Sequence, residues 1–235
     1  MRGLPRHERP RLKKLVRIGT LNVGTLTGKT RELADLIRRK NIQVLCLQET
    51  RWKGEKAKEI GEGVKLFYKG EGGKKYGVGI AVSEVLKDSV SAVHRINDRI
   101  MTLRVDMKEG CWTIISACAP QTGCSENDKD EFYMTLDEAI RSVPEGDMLT
   151  IAGDYWNGHV GEERRGMERV HGGHGIGTRN DDGERIVDLA SAHDLAICNT
   201  FFAKRESQKV TYSSGGRKTE IDYILVKTSR FNIGR

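Results

Sequence analysis

Cysteine pairs, long apolar runs and abundant aromatics are all missing from this chain. The five cysteines (Cys46, Cys111, Cys118, Cys124 and Cys198) are odd in number and scattered, with no CxxC spacing. Neither a disulfide framework nor a zinc ribbon is signalled, and the thiols read as reduced. No apolar run approaches the roughly 18 residues that span a bilayer. The N-terminus, MRGLPRHERPRLKK, lacks the apolar stretch of a secretory signal. The expectation is a soluble intracellular protein with no membrane partner.

What is present suffices for a core. Of 235 residues, 37% are hydrophobic and 27 are glycine, close to an ordinary soluble domain, so disordered and fibrous classes are excluded. The formal charge is +7, and its distribution matters more than its size. Residues 1–17 hold Arg2, Arg6, Arg9, Arg11, Lys13, Lys14 and Arg17 against Glu8 alone, with Pro5 and Pro10. They read as a basic disordered tail, which leaves the body at 18–235 nearly neutral. A second basic stretch, 51–75, reads as a solvated loop and helix face. Aromatics are only 6%, so Trp52 and Tyr76, beside Arg51, Lys53, Lys74 and Lys75, read first as local packing and second as a border for DNA.

No internal repeat or linker divides the body, and one domain is the simplest organisation. Short apolar stretches at 17–23, 42–47, 77–82, 99–107, 112–117, 148–153, 196–199, 210–213 and 221–226 predict strands, most of them bounded by Gly, Asp or Asn. Leu33, Leu36 and Ile37 predict a helix between the first two, and helices fit 128–141 and 182–193. Many strands and few helices in mixed order predict α+β layers with two sheets.

Polar residues close several of these strands: Asn22, Gln48 with Glu49, Asp154, and Asp222 beside Tyr223. Singly, each fits a cap or turn. Together, carboxylates and an amide at neighbouring strand ends suit hard-cation phosphate chemistry, because magnesium needs only one or two carboxylates plus waters and substrate oxygens. His159, His171 and His174 could be imagined as a zinc site, but HGGH sits in a Gly-rich loop with no fourth ligand and no zinc spacing.

The runs TLNVGTL (20–26), LQETRW (47–52), SACAPQTG (116–123), GDYWNGHVG (153–161) and TEIDYILV (219–226) resemble the ordered motifs of the endonuclease/exonuclease/phosphatase superfamily. The texture of 171–202 is similar to the endonuclease domain of LINE-like non-LTR retrotransposons. The resemblance covers about residues 17–230. It implies a four-layered sandwich of two mixed β-sheets flanked by helices, and a Mg²⁺-dependent enzyme, with Mn²⁺ as a substitute, that nicks DNA by phosphodiester hydrolysis. By resemblance, Glu49 is the principal metal ligand and Asn22 a nearby ligand-orienting amide. Asp154 orients or deprotonates the attacking water, Asn157 helps hold the scissile phosphate, and Asp222 hydrogen-bonds a late histidine. A monomer, nuclear before cytoplasmic, is the corresponding expectation.

The chain departs from the family pattern in three places. Cys118 stands where the family usually has tyrosine, and a thiol is a weak donor. One extra residue, Tyr155 or Trp156, separates Asp154 from Asn157. Strand alternation would then turn Asn157 away unless a bulge absorbs it. The sequence also ends at Arg235, before the last strand and its histidine, so the domain is expected to be C-terminally truncated. The rival expectations are therefore an impaired nicking enzyme and a non-catalytic nucleic-acid or chromatin binder that keeps the fold. A phosphatase of small phosphoesters is a third, against which the retrotransposon-like texture speaks.

Overall fold

The computed structural model describes residues 16–71, 76–121, 123–154, 156, 158–214 and 217–230. In chain order they form β1 (Ile18–Asn22), α1 (Thr30–Lys40), β2 (Val44–Gln48), β3 (Lys53–Glu59), β4 (Lys65–Glu71), β5 (Val78–Val82), β6 (Val90–Arg95), β7 (Ile100–Met107) and β8 (Gly110–Cys118). There follow α2 (Glu126–Arg141), β9 (Met148–Asp154), α3 (Asp181–Ala192), β10 (Leu195–Ile197), α4 (Glu206–Lys209), β11 (Tyr212–Ser214), β12 (Arg217–Thr219) and β13 (Tyr223–Lys227).

The strands make a five-stranded sheet in the order β1-β2-β5-β4-β3, a six-stranded sheet in the order β10-β13-β9-β8-β7-β6, and the hairpin β11-β12. Pairs β1/β2 and β8/β9 are parallel, each joined through a helix, and the other pairs are antiparallel. Both sheets are thus mixed.

Three apolar layers hold them. Val44, Cys46 and Ile80 of one sheet meet Met101, Leu103 and Ile114 of the other between the sheets. Leu33, Ala34 and Ile37 of α1 cover Leu45, Leu47 and Leu66 on one outer face. Phe132 and Leu136 of α2, with Ile186 and Val187 of α3, cover Ile115 and Ile151 on the other. Both faces of β2 are therefore buried, which is why VLCL reads as an unbroken apolar run. The result is the expected helix–sheet–sheet–helix sandwich.

Local sequence explains the helix boundaries. Ser125 and Asp128 form a reciprocal capping box at the start of α2, satisfying two otherwise orphaned donors. Asn180 caps α3 through the Gly183 amide. At the end of α1, Asn41 takes the left-handed conformation (φ 50°) and returns its N–H to the Arg38 carbonyl.

Three expectations change. The basic stretch at 51–75 is not a helix face: its first part is β3, an edge strand exposed at nearly every position and paired antiparallel with β4. Exposed Lys and Glu on such an edge keep it from pairing with another chain. The basic tail cannot run to residue 17, because the Arg17 amide donates to Gln43 Oε1 (2.8 Å) and its carbonyl accepts from the Gln43 and Val44 amides. Residues 1–15 lie outside the described residues. The alternation argument for Asn157, itself outside the described residues, does not apply either, because β9 ends at Asp154.

Just beyond that end, Trp156 is buried (2% exposed), with its ring edge-on to Phe132 at 6.3 Å. Its amide donates to the Ile221 carbonyl. A Cβ on Gly153 would come within 2.5 Å of the indole nitrogen, so the glycine makes room for the ring. The apparent insertion is thus a core residue, and deleting it would not restore a strand register. Trp156→Ala is expected to cost about 3–5 kcal/mol in a urea titration. Trp156→Phe should cost clearly less, because the buried indole N–H has no hydrogen-bond partner among the described residues.

Candidate active site

β1 and β2 run side by side in parallel and end together, Asn22 opposite Gln48. Gln48 is fully buried and belongs to the seam between the sheets. Its Oε1 accepts from Thr20 Oγ1 (3.1 Å) and its Nε2 donates to Ser116 Oγ (3.3 Å), which donates to the Leu47 carbonyl (3.4 Å). Although Gln48 stands at a strand end, it serves structure.

Glu49 follows with φ 54° and Arg51 with φ 53°, a left-handed conformation that costs a residue with a Cβ roughly 1–2 kcal/mol. Buried Thr50 sits between them. Its amide donates to the Gly77 carbonyl (3.0 Å), its carbonyl accepts from Leu26 N (3.0 Å), and the Arg51 amide donates to the Tyr76 carbonyl (3.1 Å). Gly77 has φ 116°, and a Cβ there would lie 2.5 Å from Thr50 Oγ1, so this close approach requires glycine. The pinned turn presents the Glu49 carboxylate to two donors. Oε1 accepts from Asn22 Nδ2 (3.0 Å) and Oε2 from an Arg51 guanidinium nitrogen (2.9 Å), while Asn22 Oδ1 is fixed by the Gly24 amide (2.8 Å).

The other sheet supplies the facing wall. Tyr223 of β13 pairs with Gly153 of β9, so Asp222 and Asp154 both lie one residue beyond that pair on neighbouring strands. Cys118 ends β8 directly opposite Asp154. It is buried with the residues between the sheets, and Arg99 donates to its carbonyl (3.3 Å). An open cleft of about 500 Å³ is lined by Thr20, Asn22, Gly24, Glu49, Thr211 and Asp222 among others. It therefore brings together Asn22, Glu49 and Asp222, with Asp154 and Cys118 at adjoining strand ends. Asn157 is outside the described residues. Sequence reasoning missed Thr211, and it missed Arg51 as the partner of Glu49. It also missed Asn199, whose Nδ2 donates to the Asp222 carbonyl and to Glu220 Oε1 (both 3.0 Å) while its Oδ1 accepts from the Ile224 amide. Burial raises the Glu220 carboxyl above the usual carboxylate range.

The donor set suits a hard divalent cation. Carboxylates from opposite walls share one cleft, and oxygen ligands supplemented by water are what magnesium takes. Among the described residues no group of three His, Cys, Asp or Glu side chains gathers as a denser metal site, and no histidine lines the cleft. Asn22 holds Glu49 in place from one side. On the other, among the described residues, the carboxylate meets Arg51, whose side chain is 45% exposed.

The residues of the imagined zinc site have other tasks. His171 is fully buried, its Nδ1 accepts from the Gly173 amide (3.1 Å), and the His174 amide donates to the Thr200 carbonyl. Trp52 packs edge-on against Tyr68 at 5.1 Å, and Tyr76 is covered by the Arg99 guanidinium at 3.8 Å. Both aromatics have local partners, as their first reading expected. No described helix is long and apolar enough to cross a membrane.

A cleft at the open end of two packed mixed sheets, with carboxylates and an amide at the strand ends, defines the class. The Endonuclease/Exonuclease/phosphatase family matches residues 19–235, and the chain belongs to that family. Among curated proteins it is similar to Craniofacial development protein 2 of Tragulus javanicus, 29% identical over 214 residues, covering 89% of this chain and 37% of that protein. Its counterpart from Bos taurus is 28% identical over 214 residues, covering 89% and 36%. The chain thus spans about a third of the length of these relatives. Among solved structures, the fold is similar to the endonuclease domain of TRAS1, a telomere-specific non-LTR retrotransposon, with TM-score 0.60, 15% identity and coverage of 91% and 85%. The catalytic domain of Xenopus laevis APE2 gives TM-score 0.62, 15% identity and coverage of 89% and 82%.

The buried His171 carries a titration of its own. Burial first, and then the Arg179 cation, lower the His171 pKa from 6.5 to about 4. The unfolded chain therefore binds a proton that the folded one refuses between these values. Stability present above about pH 6.5 should fall as the pH drops towards 4, and His171→Gln should flatten the upper part of this slope, before carboxylates titrate. Urea midpoints at several pH values measure it.

Proposed function

We propose that this chain is a divalent-metal-dependent endonuclease domain that nicks DNA, of the non-LTR retrotransposon type. The observation that carries the reading is the convergence of Asn22, Glu49 and Asp222, from two sheets, on one open cleft. The family and the nuclease folds among its structural relatives support the same direction.

Glu49 would hold Mg²⁺ or Mn²⁺, with Asp222 on the facing wall and Asn22 fixing the carboxylate's orientation. A bound cation supplies Lewis-acid neutralisation of charge growing on the phosphoryl oxygens. The chain's own residues do the rest. Asn22 and Gly24 form a rigid bracket for Glu49, so that its carboxylate needs little reorganisation. Asp154 is assigned the orientation and deprotonation of the attacking water, a general-base task. Asn157 is assigned a contact to the scissile phosphate. Asp222, tied through its carbonyl to Asn199, contributes negative charge opposite Glu49. In the family's tyrosine position, Cys118 offers only a weak donor.

A second reading is a nucleic-acid or chromatin binder that keeps the fold without turnover. It is favoured by the lack of a histidine among the described residues lining the cleft.

Nicking of supercoiled plasmid with Mg²⁺ or Mn²⁺, against a chelator control, separates the two. The endonuclease reading expects metal-dependent nicking that falls by about two to three decades in Glu49→Gln. A parent chain that retards duplex DNA without nicking it at any metal concentration favours the second reading.

A further inference from the structure

The cation already in contact with the candidate metal ligand belongs to the chain itself. Arg51 reaches Glu49 Oε2 at 2.9 Å over a separation of two residues, a spacing at which an extended strand would also put both side chains on one face. The backbone here is not extended. Glu49 and Arg51 are both left-handed, and the Thr50 amide, the Thr50 carbonyl and the Arg51 amide are each bonded to a different neighbour. The turn is held from outside in a conformation its residues disfavour, and it places a guanidinium on one carboxylate oxygen while Asn22 holds the other. The burial of the two ends differs: the Glu49 side chain is 12% exposed and that of Arg51 45%. Glu49 is fixed, and Arg51 can swing out.

We propose that Arg51 is the resident counter-ion of Glu49, which a divalent cation must displace, so that this pair sets the metal affinity of the cleft and metal binding frees a guanidinium at its mouth. The inference rests on the assignment of Glu49 as a metal ligand. The pair has two consequences. The carboxylate stays oriented with no metal bound, because it has a charged partner on one side and an amide on the other. The cleft also discriminates by charge: a monovalent ion gains little by replacing a guanidinium, whereas a divalent ion gains a doubled attraction to the Glu49 carboxylate.

The test is calorimetric titration of the full chain with Mn²⁺ alone, without DNA, comparing the parent with Arg51→Asn, Arg51→Gly and Glu49→Gln. Asn and Gly both tolerate the left-handed backbone, so these variants should fold, and their melting temperatures check it. Both should bind Mn²⁺ about three- to tenfold more tightly than the parent, and Arg51→Lys should fall between. As a second readout, saturation of the parent with diamagnetic Mg²⁺ should shift the Arg51 Nε–Hε resonance, assigned by its loss in Arg51→Asn. Unchanged or weaker Mn²⁺ binding in both Arg51 variants, with binding lost in Glu49→Gln, overturns the counter-ion role and leaves the metal assignment standing. Unchanged binding in Glu49→Gln overturns the assignment itself.

Discussion

Along β2, Val44 and Cys46 face the seam between the sheets, Leu45 and Leu47 face α1, and Gln48 returns to the seam. Continued alternation would send Glu49 under α1, where an ionised carboxylate would meet only apolar side chains at a cost of several kcal/mol. The left-handed backbone at Glu49 breaks the alternation and delivers the carboxylate to Asn22 and the cleft. Its conformational cost is of the same order as one or two hydrogen bonds. The bonds of Thr50 and Arg51 to Leu26, Gly77 and Tyr76 are sufficient to offset it. The position of Glu49 against Asn22 and Arg51 follows from this turn.

The site also depends on the seam. Asn22 and Glu49 come from the five-stranded sheet, whereas Asp222 and the ends of β8 and β9 belong to the six-stranded one, so the distance across the cleft is set by how the sheets pack. Near that end the packing is polar. Gln48 bridges Thr20 within its own sheet and Ser116 of the other, and Gly77 donates to the Asp98 carbonyl across the same boundary. Directional bonds of this kind fix a register that apolar contacts leave free to slide. An interior position thus acts on the site without touching a ligand, and the strand-end glutamine is the visible example.

The sequence was most legible where burial is complete. β2 and β5 are covered on both faces and read as unbroken apolar runs, and α2 carries its own capping box ahead of Phe132 and Leu136. It was least legible at exposed edges. β3 alternates Lys and Glu with no apolar face, and β6, for which the reading has no strand, is buried only in part. Each pairs only with the next strand along the chain, β4 or β7, and has no fully apolar face to mark it. That Asn22, Glu49 and Asp222 stand at strand ends was legible, because a polar residue closing an apolar strand is a local signal, and the cleft brings the three together. Arg51 was not, since its role arises from two non-glycine left-handed residues, a conformation with no compositional mark. Trp156 misled for a related reason: counting positions from Asp154 assumes a strand continues, whereas the side chain turns into the core against Phe132.

Charge placement follows a consistent logic at the cleft. Its described lining contains Glu49 and Asp222 and no basic residue, while Arg51 is bonded to Glu49 and Lys29 Nζ donates to the carbonyl of the lining residue Val23 (2.8 Å). Lys56 and Lys58 lie instead along β3, on the exposed edge of the five-stranded sheet. The local charges at the strand ends, Glu49 with Arg51 and Asp222 with Asn199 bonded to its carbonyl, therefore bear more directly on what the cleft can hold than the formal charge of the chain does.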